Sequence, residues 1–401
     1  MPVLKDYKKD FPWFKNNKNL VYLDNAATTL KPQITIDAVN EYYTKYSSNP
    51  HSDNKLAVIV YNEIQETRKT LAEFIQADKE EVMFTSGATE SINTVANAMQ
   101  DILKKDDEVV LTYMEHSANL LPWYKLRDRV GVKLIFVNKE SLIIKKDEIL
   151  NALTNKTKMV AFTGSSNLLA DEVDIKGIIK GIKEYNKDIY TLVDSTQYIE
   201  HFPLKCHDFN LDFAVGSGHK MIAPTGTGFL YVKKELYDLI NPLKYGGDMN
   251  ENIYEDHFIF AKGNHKFEGG TPNAAGLYAW KKSLDYLMKI GSEEIIKREV
   301  LLKKYFLKNM PKRDDFILYN PSENSPLITF NFKDKKNKLI ASKKVEEYLQ
   351  KHNILVRSGL ACAKLAVNNL KADSVIRASL LFYNDYSDVD KLIEALAKWP
   401  K

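Results

Sequence analysis

A lysine and an aspartate each follow an apolar run near the middle of the chain. The run at 211–215 predicts a buried strand, and Lys220 stands in the glycine-flanked turn after it; the run at 189–193 predicts another strand, which ends at Asp194. In open α/β sheets, ligands bind at the carboxyl ends of the strands. A lysine held there among small residues loses hydration, which lowers its pKa and makes the amine nucleophilic. Taken alone, Lys220 is explained equally well as a solvated turn lysine.

The two residues together favour pyridoxal phosphate as a cofactor. The lysine amine carries the aldehyde of this cofactor as a Schiff base. A carboxylate at the pyridine nitrogen keeps that nitrogen protonated, so the ring can accept electrons. Lys220 and Asp194 have the right chemical types and positions for these two roles.

The stretches around these two residues, VDSTQ and SGHK, belong to an ordered series of motifs. The others are YLDNAATTLKP, FTSGATES, EHSAN, FEGGTPN and RSGLACA. With this series the chain resembles the SufS-like cysteine desulfurases, which are class V, fold-type I pyridoxal-phosphate enzymes. The resemblance runs from about Tyr22 to Asp390. It implies removal of sulfur from L-cysteine, giving L-alanine and a persulfide on Cys362.

The alternation of predicted strands and helices favours an α/β fold with parallel pairing and right-handed crossovers. The resemblance implies a fold-type I transferase, with a mainly parallel sheet between helices and a smaller C-terminal α+β domain. We predict a large cofactor-binding domain over 21–270. The small domain would comprise 271–401 together with 1–20 and would carry the cysteine loop.

The segment from Glu81 to Phe84 predicts a short strand, and Thr85 to Glu90 predicts a glycine turn and a helix N-terminus, which is a ready site for a phosphate group. Ala88 and Thr89 would lie at that site. Helix capping by Ser86 or Thr89 uses the same donors, so the spacing alone does not separate the two interpretations.

The resemblance assigns roles to the remaining candidate residues. His116 would stack on the ring and move protons, so the predicted catalytic residues are Lys220, Cys362 and His116. The loop at Ala26, the amide of Asn167 and the clamp Arg377 would bind the substrate carboxylate. The other predicted cofactor contacts are Asn167, Gln197, Ser217, His219 and, at the partner subunit's phosphate, Thr271. Cys206 is the other cysteine, but its segment has none of the cysteine-loop residues.

Some positions depart from the pattern of the resembling proteins. Gly164 stands where they carry a histidine, and Ala170-Asp171 replaces a Gly-Thr pair. Leu360-Ala361 replaces two histidines that often precede the cysteine, so no adjacent base is present. These departures concern the pocket wall and the cysteine loop.

The overall composition limits the classes of function. A net charge of +4 over 401 residues, with dispersed basic pairs, gives no sign of nucleic-acid binding. Two cysteines predict neither a disulfide framework nor a metal site. No targeting segment or membrane span is apparent, and a free reactive thiol suits the cytoplasm.

The resemblance further implies a homodimer and a sulfur-acceptor protein of the SufU/SufE or IscU type, serving iron–sulfur cluster assembly or thiolation. Two alternatives stay open from the sequence. One is a selenocysteine lyase or another class V enzyme with the same cofactor. The other is a non-catalytic scaffold for cluster assembly, although such a protein would be expected to have lost the lysine or the acid.

Overall fold

The structure is a computed structural model that describes residues 2–139, 141 and 143–400. Its strands are numbered in chain order. They are β1 (Val21–Tyr22), β2 (Val82–Thr85), β3 (Glu108–Thr112), β4 (Lys133–Val137), β5 (Thr157–Thr163), β6 (Tyr190–Asp194), β7 (Phe213–Ser217), β8 (Gly228–Val232), β9 (Asn250–Ile253), β10 (Phe258–Phe260), β11 (Phe316–Leu318), β12 (Leu327–Phe332), β13 (Ile354–Leu355), β14 (Arg357–Gly359) and β15 (Val375–Ser379).

The α-helices are numbered in the same way. They are α1 (Pro12–Asn16), α2 (Gln33–Glu41), α3 (Lys55–Phe74), α4 (Ala88–Ile102), α5 (Leu121–Val130), α6 (Lys146–Leu150), α7 (Ile175–Tyr185), α8 (Cys206–Phe209), α9 (Ala274–Ile290), α10 (Ser292–Asn309), α11 (Ser342–Lys351), α12 (Lys364–Asn369) and α13 (Tyr386–Ala397).

The main sheet has seven strands in the order β2-β8-β7-β6-β5-β3-β4. Its neighbours pair in parallel except at β8, which runs antiparallel to both β2 and β7. Side chains alternate between its two faces, as strand geometry requires. Val109 and Leu111 join the core cluster under α4 and α5, whereas Val110 joins the cluster that contains the apolar face of α7. The mainly parallel α/β fold predicted from the sequence is confirmed.

The strand before Lys220 begins two residues later than predicted, at Phe213. Asp212 instead bonds to β6 through its side chain, accepting the Thr191 N–H at 2.9 Å. The strand ends at Ser217, and Lys220 is the last residue of the 3-10 turn Gly218–Lys220 that follows it. The shift leaves Lys220 at the carboxyl edge of the sheet.

A second sheet, in the order β11-β12-β15-β14, is antiparallel throughout and packs with α10, α11 and α13 around its own core cluster. The N-terminal segment contacts the C-terminal part of the chain: Phe11 packs on Tyr383, and Lys8 forms an ion pair with Asp388 at 2.7 Å. Helix α9 packs against α2 and α3. The division at 270/271 stays a prediction. Among the described residues, no helix is both long and apolar enough to cross a membrane.

Candidate active site

A cavity of about 300 Å³ opens at the carboxyl edge of the main sheet. Most of the residues predicted for the site line this one cavity. They are Ala26, Ala88, Thr89, His116, Asn167, Asp194, Gln197, Ser217, His219, Lys220, Cys362 and Arg377. The structure therefore brings these positions together at one cavity, and their individual roles stay predictions.

Lys220 is buried, with 7% of its surface exposed, and its ammonium nitrogen donates to the Ala26 carbonyl. Burial lowers the pKa of Lys220 to about 8, and the negative charge of Glu200 opposes this shift. At neutral pH an appreciable fraction of the amine is therefore unprotonated. An unprotonated amine is what Schiff-base chemistry requires.

Asp194 ends β6 next to the strand that leads to Lys220, and it pairs in register with Val215. Its Oδ1 accepts the Thr196 N–H at 3.0 Å. Only 5% of the residue is exposed, and it lines the cavity floor with Lys220. The carboxylate is therefore held where little water reaches it, and its charge would act strongly on a ring nitrogen bound beside it.

His116 follows β3, and its Nδ1 accepts the Ala118 N–H at 3.1 Å. Burial lowers its pKa, so the ring is neutral at pH 7 and carries its proton on Nε2. Glu115 anchors the turn: it accepts from Asn119 Nδ2 at 2.7 Å and from the Thr163 N–H at 3.0 Å. Burial raises the pKa of Glu115 to about 8. The turn therefore holds the His116 ring, as a neutral group, at the cavity wall.

The glycine turn predicted to bind phosphate lies where α4 begins. Gly87 is the N-cap residue and has no side chain to cap the helix, so the alternative of capping by Ser86 or Thr89 is not what the structure shows. The Ala88 N–H donates to Ser217 Oγ at 2.9 Å, which leaves that hydroxyl proton free for another acceptor. A Cβ on Gly228 would lie 2.4 Å from Gly87 Cα, so glycine is required for this close approach.

His219 lies beside this turn, with its Nδ1 at 3.2 Å from Thr28 Oγ1. Burial lowers its pKa to about 4, and the charges of Lys220 and Lys31 act in the same direction. The ring is therefore neutral at pH 7. A neutral imidazole offers one N–H donor to an anionic group without the cost of burying a further charge.

The polar atoms of the cavity fit the predicted cofactor. Buried groups in proteins are normally hydrogen-bonded, so unpartnered ones call for an explanation. Among the described residues, four cavity-lining side chains hold a buried oxygen without a partner: Ser165 Oγ, Asn167 Oδ1, Thr196 Oγ1 and Gln197 Oε1. Lys220 suits the amine-reactive aldehyde of pyridoxal phosphate, Asp194 its basic ring nitrogen, and the helix N-terminus its anionic phosphate. The four unpartnered oxygens can bind the remaining polar atoms of the cofactor.

Arg377 on β15 brings a guanidinium to the same cavity. It donates to the Asn167 carbonyl at 2.7 Å and to Asp24 Oδ1 at 3.1 Å, and its Nε is buried without a partner. Burial lowers the pKa of Arg377 from its usual value. Arginine remains charged even so, and it can exchange Asp24 for a substrate carboxylate.

Cys362 lies in the four-residue connection between β14 and α12, exposed and at the cavity. Asn167, predicted to contact the cofactor, also donates from Nδ2 to the Ala361 carbonyl at 2.7 Å. The other cysteine, Cys206, is fully buried in α8, and burial raises its thiol pKa. The preference for Cys362 over Cys206 thus has a structural basis.

Thr271 lies apart from the other predicted residues. It lines a second hollow with Ser86, Glu90 and Lys244, and Asn49 Nδ2 donates to its hydroxyl at 3.3 Å. Its predicted contact is with the phosphate of a partner subunit. That contact stays a prediction.

Several residues of the site are absent from the predicted set. The further cavity-lining residues are Ala27, Ala118, Thr163, Ser165, Thr196, Arg357 and Ala361. Five of them lie within two residues of a predicted residue in the chain, which is the signal that could have found them. Two more residues contact the site from distant parts of the chain. Asp24 accepts a hydrogen bond from Arg377, and Ser117 donates one to the Cys362 carbonyl.

The departures from the family pattern have local explanations. A Cβ on Gly164 would lie 3.0 Å from Ile175 Cδ1 and 3.1 Å from Tyr198 Cβ, so these side chains occupy the space of a larger residue. Ala170 adopts a φ of 48°, in the left-handed region that glycine favours. Ala170 therefore holds a left-handed backbone conformation without a glycine.

A group of potential metal ligands lies outside the cavity, where Asp78, Glu81 and His207 bring ligand atoms within 4.8 Å of one another. The Glu81 carboxylate already accepts the N–H groups of Asp78 and Lys234, each at 3.1 Å. These contacts give the carboxylate a structural role in the turn. The sequence predicted no metal site, and this group alone does not establish one.

Comparison with known proteins agrees with the geometry. Residues 21–392 match the family model described as aminotransferase class-V. A probable cysteine desulfurase of Ureaplasma parvum serovar 3 is 43% identical over 399 residues, which cover 99% of this chain and 98% of that protein.

Two solved structures are also similar. The cysteine desulfurase CsdA of Escherichia coli is 28% identical with a TM-score of 0.90, and an apo cysteine desulfurase of Thermococcus onnurineus NA1 is 29% identical with a TM-score of 0.91. Each match covers 99% of this chain and 98% of the other. The resemblance found in the motifs is confirmed: the chain belongs to the class-V aminotransferase family, within its cysteine desulfurases.

Proposed function

We propose that the cavity binds pyridoxal phosphate through Lys220 and transfers the sulfur of L-cysteine to Cys362. The observation that carries this proposal is that the dehydrated amine of Lys220 and the thiol of Cys362 line the same cavity. When bound, pyridoxal phosphate supplies an electron sink for the pair left at the substrate Cα. Asp194 would hold the ring nitrogen, Ser217 and the start of α4 the phosphate, and Gln197 and Asn167 the ring hydroxyl.

Residues around the cavity bind the substrate and transfer its protons. Arg377 binds the substrate carboxylate and fixes the Cα–H bond relative to the Lys220 amine. Lys220, with its pKa lowered to about 8, removes the Cα proton as a general base. The neutral His116 ring packs at the cofactor position and holds a proton on Nε2 that can be donated.

The sulfur step uses the thiolate of Cys362 as a nucleophile. Its sulfur attacks the substrate sulfur, an S–S bond forms and the substrate Cβ–S bond breaks. The bonding pair stays on Cβ, which takes up a proton, so L-cysteine and Cys362–SH become L-alanine and Cys362–S–SH. Atoms and electrons balance without an added oxidant or reductant.

Peptide mass spectrometry after incubation of the holoenzyme with L-cysteine tests this assignment. We expect the mass of the Cys362 peptide to increase by about 32 Da, which is one sulfur atom. Cys362→Ala should retain the cofactor but lose nearly all L-alanine release. Cys206→Ala is the matched control and should keep activity, because Cys206 is buried in the core.

The assignment is wrong if the persulfide appears on Cys206. It is equally wrong if Cys362→Ala releases L-alanine at the rate of the unaltered enzyme. Cofactor content, read from visible absorption, separates a lost thiol from a lost cofactor.

We also propose a homodimer as the functional unit. The β9–β10 hairpin exposes several apolar side chains: Ile253 (66% exposed), Tyr254 (47%), Phe258 (48%) and Ile259 (44%). Exposed apolar groups clustered in this way are typical of a protein interface, and a two-fold axis would bring Thr271 of one subunit to the cavity of the other. Sedimentation of the unaltered chain and of Ile253→Lys tests this, with a dimer expected to dissociate in the variant. A monomeric unaltered chain would contradict it.

The acceptor of the persulfide follows from its chemistry. A persulfide on exposed Cys362 transfers its outer sulfur by thiol exchange. We propose a sulfur-carrier protein of the SufU/SufE or IscU type as the acceptor, in a reducing cytoplasm, for iron–sulfur cluster assembly or thiolation. Single-turnover transfer of radiolabelled sulfur to such a carrier is the test. If label left Cys362 for small thiols alone, a dedicated carrier would be excluded.

A further inference from the structure

The cysteine loop, residues 360–363, is held by Ser117, which stands in the chain between two cavity-lining residues, His116 and Ala118. Ser117 begins the 3-10 turn that follows β3, directly after His116. Its backbone N–H and its hydroxyl both donate to the Cys362 carbonyl, each at 2.7 Å. One residue therefore saturates both lone pairs of the carbonyl that belongs to the sulfur-accepting residue.

These bonds hold a backbone conformation that would not persist without support. Ala361 has a φ of 45° and Cys362 a φ of 55°, two consecutive non-glycine residues in the left-handed region. L-residues avoid this region because Cβ crowds the backbone. The Ala361 carbonyl is held as well, by Asn167 Nδ2, and the Ala363 N–H closes the turn on Leu360 O at 2.8 Å.

We propose that Ser117 is a positioning residue that keeps the thiol of Cys362 at the cavity during sulfur transfer. The turn that contains Ser117 also fixes the His116 ring, through the bond from the Ala118 N–H. The same turn therefore holds both the ring beside the cofactor position and the loop that carries the thiol. Loss of the two bonds lets residues 360–363 leave the left-handed conformation, and the thiol then leaves its place facing the substrate sulfur. This inference rests on the proposed role of Cys362 as the sulfur acceptor.

A graded set of substitutions removes the donors one at a time. Ser117→Ala deletes the hydroxyl, and Ser117→Pro deletes the hydroxyl and the N–H. Proline is compatible with this position, since Ser117 opens the turn and the preceding residue is extended, with φ −66° and ψ 149°. Ser117→Thr retains both donors and is the conservative rescue.

Matched controls come from Ser292, the exposed first residue of α10, which lines a different surface hollow. Ser292→Ala and Ser292→Pro make the same chemical changes there. The measurements are amide hydrogen exchange over 360–363 in the holoenzyme, and kcat and KM for L-alanine release. Cofactor content and melting temperature show whether each variant is folded.

We expect loop exchange to rise about fivefold in Ser117→Ala and further in Ser117→Pro. kcat should fall in the same order with little change in KM, because the proposed contact with the substrate carboxylate is Arg377, which lies outside the loop. Ser117→Thr and both Ser292 variants should match the unaltered enzyme. Should Ser117→Pro unfold, Ser117→Ala and Ser117→Thr still decide the question.

Unchanged loop exchange in folded Ser117→Ala and Ser117→Pro would overturn the proposal. So would faster exchange with unchanged kcat while Cys362→Ala is inactive. If Cys362→Ala itself keeps full activity, the proposed role of Cys362 fails, and the inference about Ser117 fails with it. That result is distinguishable because the Cys362 variant is measured independently.

Discussion

Replacing Lys220 with methionine tests whether burial of its charge is what tunes the site. The pKa of Lys220 falls from 10.5 to about 8 in the folded chain. A factor of ten in acidity is worth about 1.4 kcal/mol, so holding the charged amine inside costs ~3 kcal/mol of folding stability at pH 7. Methionine has a similar length and no charge, so it removes this cost.

The cost of the substitution itself is small. Lys220 donates a hydrogen bond to the Ala26 carbonyl, and methionine cannot. The same carbonyl also accepts from Gln197 Nε2 at 3.0 Å, so it stays satisfied. Losing the one bond costs about 1 kcal/mol. We therefore expect cofactor-free Lys220→Met to be more stable than the cofactor-free parent by ~2 kcal/mol at pH 7.

The dependence on pH gives the sharper test. The folded pKa lies below the unfolded one, so between pH 8 and 10.5 the unfolded chain binds more protons. The stability of the parent therefore rises with pH across this window, and the penalty is fully present below it. The advantage of Lys220→Met should shrink by ~2 kcal/mol between pH 7 and pH 9.5.

Chemical denaturation of the two cofactor-free proteins at both pH values measures this difference. Lys180→Met is the control: the Lys180 side chain is 71% exposed, so a change within about 0.5 kcal/mol is expected. A Lys220→Met variant less stable than the parent at pH 7, or an advantage independent of pH, would refute the reasoning. The variant should in either case lose L-alanine production.

Three further predictions concern the cofactor and the scaffold. The rate of pyridoxal phosphate incorporation into the cofactor-free protein should rise with pH and reach half its maximum near pH 8, the pKa of Lys220; a midpoint above pH 10 would contradict the lowered value. Asp194→Asn should keep the bond from the Thr196 N–H and the fold, yet slow L-alanine release by more than tenfold, about 1.4 kcal/mol of barrier; a smaller loss in steady-state assays would remove Asp194 from the ring nitrogen. Arg68→Met should cost roughly 3 kcal/mol in denaturant unfolding, because it removes the cation that binds Glu268 at 2.6 and 2.8 Å and leaves that carboxylate with the Phe84 N–H as a donor. Adding Glu268→Gln should recover part of that loss, and no recovery would show that the charge was not the cause.

The sequence contained most of the information about the cofactor site. Apolar runs that end in Asp194 and in the turn of Lys220 predict parallel strands, and parallel strands bring their carboxyl ends to one edge. The glycine turn before α4 likewise predicted an anion site at a helix N-terminus. These inferences depend on local periodicity and on a topological rule, so they survive an error of two residues in where β7 begins.

Only the tertiary structure decided how the two walls of the cavity are joined. Ser117 and Cys362 are 245 residues apart in the chain, and Arg377 and Asp24 are 353 apart. The sequence around either member of a pair does not predict which distant residue it contacts. The left-handed backbone at Ala361 and Cys362 is also unpredictable from their residue types, which disfavour it. Local propensity sets each strand and turn, whereas contacts between distant segments supply the free energy that holds a disfavoured loop at the site.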